Sequence, residues 1–148
     1  MLPTFVYQPS EEDELQPAII DALCGHKYVV CSDKTLNLLI LRDGKEPLNL
    51  ELKVRLQSQR STIPITPFQW ALFRSVGNLS TFVQCTRVLV FDPATNKYAL
   101  ASVLDIRNGL QSNTPSSTSY VKKGVLDSLT WLSPQEAWDA LVAWIRDS

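Results

Sequence analysis

Apolar residues recur along this chain at two spacings, and the change from one to the other marks its elements. Leu15, Ile19 and Leu23 fall at four-residue steps with Ala18 and Ala22 beside them, the stripe of an amphipathic helix. Ser10-Glu11-Glu12-Asp13 supplies its start, with Ser10 as N-cap and an acid three residues on, and Gly25 supplies its stop. Pro17 lies beyond the first turn of a helix capped at Ser10, which predicts a kink or a start nearer Glu14. A second helix opens at Thr66-Pro67-Phe68-Gln69: Thr66 caps, Pro67 takes the first helical position and Gln69 reaches back. It runs through Trp70, Leu72, Phe73 and Val76 to Gly77. A third capping signal, Ser133-Pro134-Gln135-Glu136, precedes a helix bearing Trp138, Leu141, Val142 and Ile145.

Between these helices lie strand signals. Tyr28 to Cys31 is a short strand and Leu36 to Arg42 a stronger one; Asp43-Gly44 turns the chain, and Leu48 to Val54 returns, forming an antiparallel hairpin in mid-sheet. Thr81 to Phe91 reads as strand, and Lys97 to Leu104 pairs with its end across Pro93-Ala94-Thr95-Asn96. Arg55 to Ile65 reads as a polar, mobile stretch, and residues 105–130 as a long loop, richest in Ser and Thr over Ser112 to Ser119. The sum is an α/β fold: a central mixed β-sheet flanked by α-helices. It forms a single domain over 1–148, with a core at about 11–91 and a C-terminal helix at 134–147.

Composition narrows the class. With 148 residues, 45% of them apolar and 20% charged, the chain can bury a real core as one domain. No apolar run reaches the length of a membrane span, and the start lacks the charged-then-apolar form of a signal peptide; a cytoplasmic protein without membrane partners is expected. Cys24, Cys31 and Cys85 are odd in number and read as reduced thiols, while the single His26 adds no zinc ligand set. A net charge of −1 gives no global attraction for nucleic acid, though a local basic surface can coexist with it.

The sharpest chemical signal is Glu51-Leu52-Lys53 inside the apolar run Leu48 to Val54. A strand has period two, so the carboxylate and the ammonium leave from one face. Two charges on a half-buried face are expensive unless paired or engaged with a ligand. Metal-assisted cutting of a phosphodiester needs carboxylates for the ion, a cation to steady charge or orient water, and a polar group to position the phosphate. Glu51 and Lys53 offer one carboxylate and the cation, and a second acid is expected on the neighbouring strand across from Glu51. Taken singly, each residue has a plainer reading. Glu51 with Lys53 is a surface ion pair, Glu11 and Glu12 complement a helix N-terminus, Gln69 completes a capping box, and Asn37 is an exposed strand residue.

A helix with glutamate, a hairpin carrying Glu-x-Lys, and a Thr-x-x-Gln helix start together resemble the PD-(D/E)XK nuclease superfamily. Its Glu-x-x-Leu-Gln element is matched by Glu12-Asp13-Glu14-Leu15-Gln16, and its Asp-Leu strand falls on Asn37-Leu38-Leu39, 14 residues ahead of Glu51. The match covers roughly residues 11 to 91. The resemblance implies a restriction-endonuclease-like fold and hydrolysis of double-stranded DNA with Mg²⁺ or another divalent cation. Glu51, the Asn37 position and the Leu52 carbonyl would hold the metal. Lys53 would orient water, Glu12 would assist the metal shell, and Gln69 would hold the neighbouring phosphate. Arg55, Gln57, Gln59 and Arg60 follow the motif strand and are candidate DNA contacts, which Lys122 and Lys123, with Arg87 and Arg107, would extend. Trp131, Trp138 and Trp144 read as core or subunit contacts.

One departure matters: the family has aspartate where this chain has Asn37. Asparagine offers an oxygen without negative charge, so ion affinity should fall. Asp33 or Asp43 compensates, or activity has been lost, or Asn37 replaces a native aspartate. One such site cuts one strand, so a homodimer or homotetramer is expected for double-strand cleavage. A homing or restriction enzyme fits; a junction resolvase, a non-catalytic DNA-binding module, and an interaction protein using the Trp-bearing helix are the rivals.

Overall fold

The computed structural model describes residues 12–32, 38–55, 62–110 and 115–148, with Glu12 to Glu14 and Ser32 described by backbone alone. The Ser10 cap, Asp33, Asn37, Gln57, Gln59 and Arg60 therefore lie outside the described residues. In chain order the elements are α1 (Glu12–Gly25), β1 (Val29–Ser32), β2 (Leu38–Leu41), β3 (Leu48–Val54), β4 (Pro64–Ile65), α2 (Pro67–Ser75) and α3 (Thr81–Gln84). They continue with β5 (Thr86–Asp92), β6 (Lys97–Ser102), α4 (Val103–Arg107), β7 (Ser119–Tyr120), α5 (Lys123–Asp127) and α6 (Pro134–Asp147). Among the described residues no helix is long and apolar enough to cross a membrane.

Five strands form one sheet in the order β1-β2-β3-β5-β6. The hairpin of β2 and β3 is antiparallel, with Leu38 opposite Leu50, and Gly44 takes a φ of 70° in its turn. Next to it β3 and β5 run parallel, Glu51 opposite Val88 and Lys53 opposite Val90. A parallel pair needs a crossover, and here it carries β4, α2 and α3. The sheet is therefore mixed and covered by helices on both faces.

Strand alternation divides the interior in two. Leu48, Leu50, Leu52 and Val54 of β3 pack with Leu15, Ile19 and Leu23 of α1 and with Trp138, Leu141, Trp144 and Ile145 of α6. On the other face Val88 and Val90 of β5 meet Ile63, Ile65, Trp70, Phe73, Ile106, Val121 and Leu126. Trp138 and Trp144 are thus core residues, and Trp131 packs against the second cluster. The crossover helix α2 lies over the face from which Glu51 and Lys53 project.

Several boundaries differ from the sequence reading. Thr81 to Gln84 is a helical turn, because the Ser80 hydroxyl accepts from the Val83 N–H at 3.2 Å; the strand begins only at Thr86. Strand β6 stops at Ser102, where a capping box with Asp105 starts α4. Residues 105–130, expected as a long loop, carry the end of α4, then β7 and α5. Their Ser- and Thr-rich composition hides spaced apolar anchors, and Ile106, Val121 and Leu126 are fully buried. In the stretch expected to be mobile, Ile63 and Ile65 are buried and β4 pairs with β7, Pro64 opposite Tyr120. Helix α1 is continuous through Pro17.

Gly109 closes the turn after α4 against α5. A Cβ there would meet the Val121 side chain at 2.5 Å and Val125 at 3.3 Å. Gly109→Ala is expected to destabilise the protein by about 1–3 kcal/mol, since two β-branched side chains cannot both retreat from a filled core. Urea unfolding of the two proteins measures it, and an unchanged midpoint would contradict this packing.

Candidate active site

Glu51 and Lys53 project from mid-β3, are 1% and 3% exposed, and are the two charged residues of that strand. What holds them is Gln69, at the third position of α2. Its Nε2 donates to Glu51 Oε1 at 2.7 Å, and its Oε1 accepts from Lys53 Nζ at 3.1 Å. Lys53 Nζ also stands 3.5 Å from Glu51 Oε1, so the three side chains close a triangle.

The Gln69 amide has one possible orientation. Thr66 caps α2: its hydroxyl accepts from the Gln69 N–H at 3.1 Å, and the Thr66 N–H donates to Gln69 Oε1 at 3.2 Å. A backbone N–H and an ammonium only donate, so the atom that meets both must be oxygen. The amide nitrogen then faces the carboxylate. With Oε1 engaged twice and one N–H on Glu51, at most one N–H remains for a phosphate. Gln69 is better placed to position Glu51 and Lys53 than to hold substrate.

Period two puts Arg55 on the same face one step on, and here the structure corrects the expected DNA contact. The guanidinium is 7% exposed and turned inward. It donates to Asp127 Oδ1, stands 3.9 Å from Asp92 Oδ2, and lies 5.3 Å from the ring centre of Trp131. Lys123 reaches the same Asp127 carboxylate at 2.7 Å. Arg107 is also directed inward: it donates to the carbonyls of Phe73 at 2.6 Å and Val76 at 2.8 Å, and to Asn78 Oδ1 at 2.7 Å, fastening the end of α2. Arg87 lies over Trp144 at 5.4 Å, and burial pushes its pKa down against the pull of Asp105 and Cys85. Lys122 and Lys123 remain exposed.

Glu12 opens α1, and Leu52 turns its side chain into the first core, leaving only its main chain for the site. Asn37 directly precedes Leu38, whose partner Leu50 directly precedes Glu51. Among the described residues no three His, Cys, Asp or Glu side chains gather. The sequence reading did not identify Asp92, Asp127 and Trp131 as partners of Arg55, since nothing local signals contacts so far apart in the chain.

Two outcomes test this geometry. Gln69→Leu removes hydrogen bonds to two buried charges and half a capping box, and should cost about 2–4 kcal/mol in urea unfolding. The hydrogen bonds from Arg55, then Lys123, hold the Asp127 carboxyl below the usual carboxylate range. A depressed value stabilises the fold above the ordinary carboxylate pKa, and that stability is lost as pH falls through the lower folded value. Asp127→Asn should therefore lower stability at pH 7 and flatten its acid-side decline in thermal melts; a decline as steep as in the parent would disprove the contact's role.

No family model matches this chain, and no curated protein matches it. The fold is similar to that of a solved structure, D212, a nuclease from a fusselovirus, with a TM-score of 0.53 at 13% identity over 93% of each chain. At that identity the likeness is one of fold: a mixed five-stranded sheet with flanking helices, shared with a viral nuclease.

Proposed function

We propose that this chain is a metal-dependent DNA endonuclease of the PD-(D/E)XK kind, hydrolysing phosphodiester bonds at a specific site in a homing or restriction role. The observation that carries the reading is the buried triangle of Glu51, Lys53 and Gln69 on the central strand. Burying two charges costs several kcal/mol per ion, a cost that packed apolar residues would avoid. Their presence in the middle of Leu48 to Val54, in a fold shared with a nuclease, favours chemistry over packing.

The donor chemistry suits Mg²⁺, a hard ion commonly held by one or two carboxylates together with substrate phosphates and water. Glu51 and the Leu52 carbonyl would hold it, joined by the Asn37 amide oxygen and, through water, Glu12. When bound, the ion would polarise the phosphate and offset its charge. Lys53 would orient the attacking water and neutralise charge growing on the phosphate oxygens. Gln69 keeps the carboxylate and ammonium in register throughout. A protomer with one site cuts one strand, so paired copies, a dimer or tetramer, would act on double-stranded DNA.

Asn37 favours a second reading, a DNA-binding module that does not cut. Plasmid DNA with Mg²⁺ separates the two. Asn37→Asp adds a charge at the ion and should raise nicking more than about tenfold over the parent, while Glu51→Gln in that background should abolish it. Tight DNA binding with no nicking by Asn37→Asp would sink the enzyme and leave the module.

A further inference from the structure

Among the described residues five large hydrophobic side chains stand open to solvent: Val29, Leu41, Phe68, Leu79 and Tyr120. Two are aromatic: one lies on the short stretch that leads into the candidate site, and the other on the strand paired with that stretch. Phe68, 60% exposed, is the second residue of α2 and the immediate neighbour of Gln69. Tyr120, 42% exposed, is the partner of Pro64 in the β4–β7 pair, four residues ahead of Phe68. Paired Cα atoms lie about 5 Å apart, and four residues of chain span at most about 14 Å. The two residues therefore lie within about 20 Å of each other on the approach to the Thr66 cap, whose backbone N–H is bonded to Gln69.

The same edge carries charge. Val121, just past β7, is fully buried, while Tyr120 and Lys122 on either side of it are exposed. Lys122 and Lys123 are both exposed there, Lys123 sharing Asp127 with Arg55. Two open rings beside lysines, next to a site built for a phosphodiester, is the chemistry of single-strand binding. Lysines follow the backbone while rings take the faces of bases. In an intact duplex those faces are covered by neighbouring base pairs, and only an unpaired base can offer one.

We infer that the β4–β7 ribbon and the first turn of α2 bind unpaired nucleotides beside the scissile bond, giving the protein a preference for forked, flapped or otherwise opened DNA over continuous duplex. This rests on the nuclease reading of Glu51, Lys53 and Gln69 and narrows its substrate class.

The test compares one sequence as continuous duplex and as a splayed fork carrying 2-aminopurine in its unpaired arm, using the full chain. The parent should bind the fork more tightly and change the 2-aminopurine fluorescence. Phe68→Ala and Tyr120→Ala should each weaken fork binding about tenfold and leave duplex binding unchanged, whereas Phe68→Trp and Tyr120→Phe should retain it. Circular dichroism checks that these surface variants fold. Equal affinity of the parent for fork and duplex overturns the inference, as do alanine variants that weaken both equally. Alanine variants that alter sedimentation but keep the fork preference would make the rings a contact between copies, and also overturn it. A chain that binds and cuts both DNAs alike removes this inference alone; one that binds neither removes the nuclease reading with it.

Discussion

The structure turns on one buried amide. Gln69 donates to Glu51 and accepts from Lys53, and its orientation is set by the Thr66 backbone N–H that its oxygen also accepts. Without it two opposite charges 3.5 Å apart would lose a hydrogen-bonding bridge between them in a buried layer. A buried ion pair repays its desolvation only when the remaining donors and acceptors are satisfied. A helix-capping interaction, ordinarily a matter of helix stability alone, is here also the support of the charged pair.

That arrangement depends on topology. Because β3 and β5 are parallel, the chain must cross over one face of the sheet, and the crossover delivers the N-terminus of α2 to the middle of β3. Two arginines fasten the crossover, one at its start and one between α2 and α3. Arg107 takes the carbonyls at the end of α2, and Arg55 ties the end of β3 to Asp127 and Asp92. Both arginines look like nucleic-acid contacts in the sequence. Both are engaged within the protein, whereas Lys122 and Lys123 are exposed.

What could be read in advance follows from locality. The common face of Glu51 and Lys53 is a matter of strand period, and the Thr66–Gln69 box is a four-residue signal; both needed no knowledge of the rest of the chain. The hairpin and the helix at Ser133 were legible for the same reason. The contact between Gln69 and Glu51 spans 18 residues and is implied only once the crossover is placed. Arg55 with Asp127 spans 72, and no local pattern announces it. The short elements within 105–130 were hidden because their apolar anchors are too widely spaced to show a period.

The charged pair has a second consequence, one that acts before the fold exists. Leu48 to Val54 has the composition of a strand that sticks to its own kind, and its pairing with β5 must wait for the slow closure of a crossover. During that interval Glu51 and Lys53 are still hydrated. Charges inside a hydrophobic strand oppose its stacking on another nascent chain at that stage. Evolution towards an all-apolar strand would remove the desolvation cost and lose that protection at the same step.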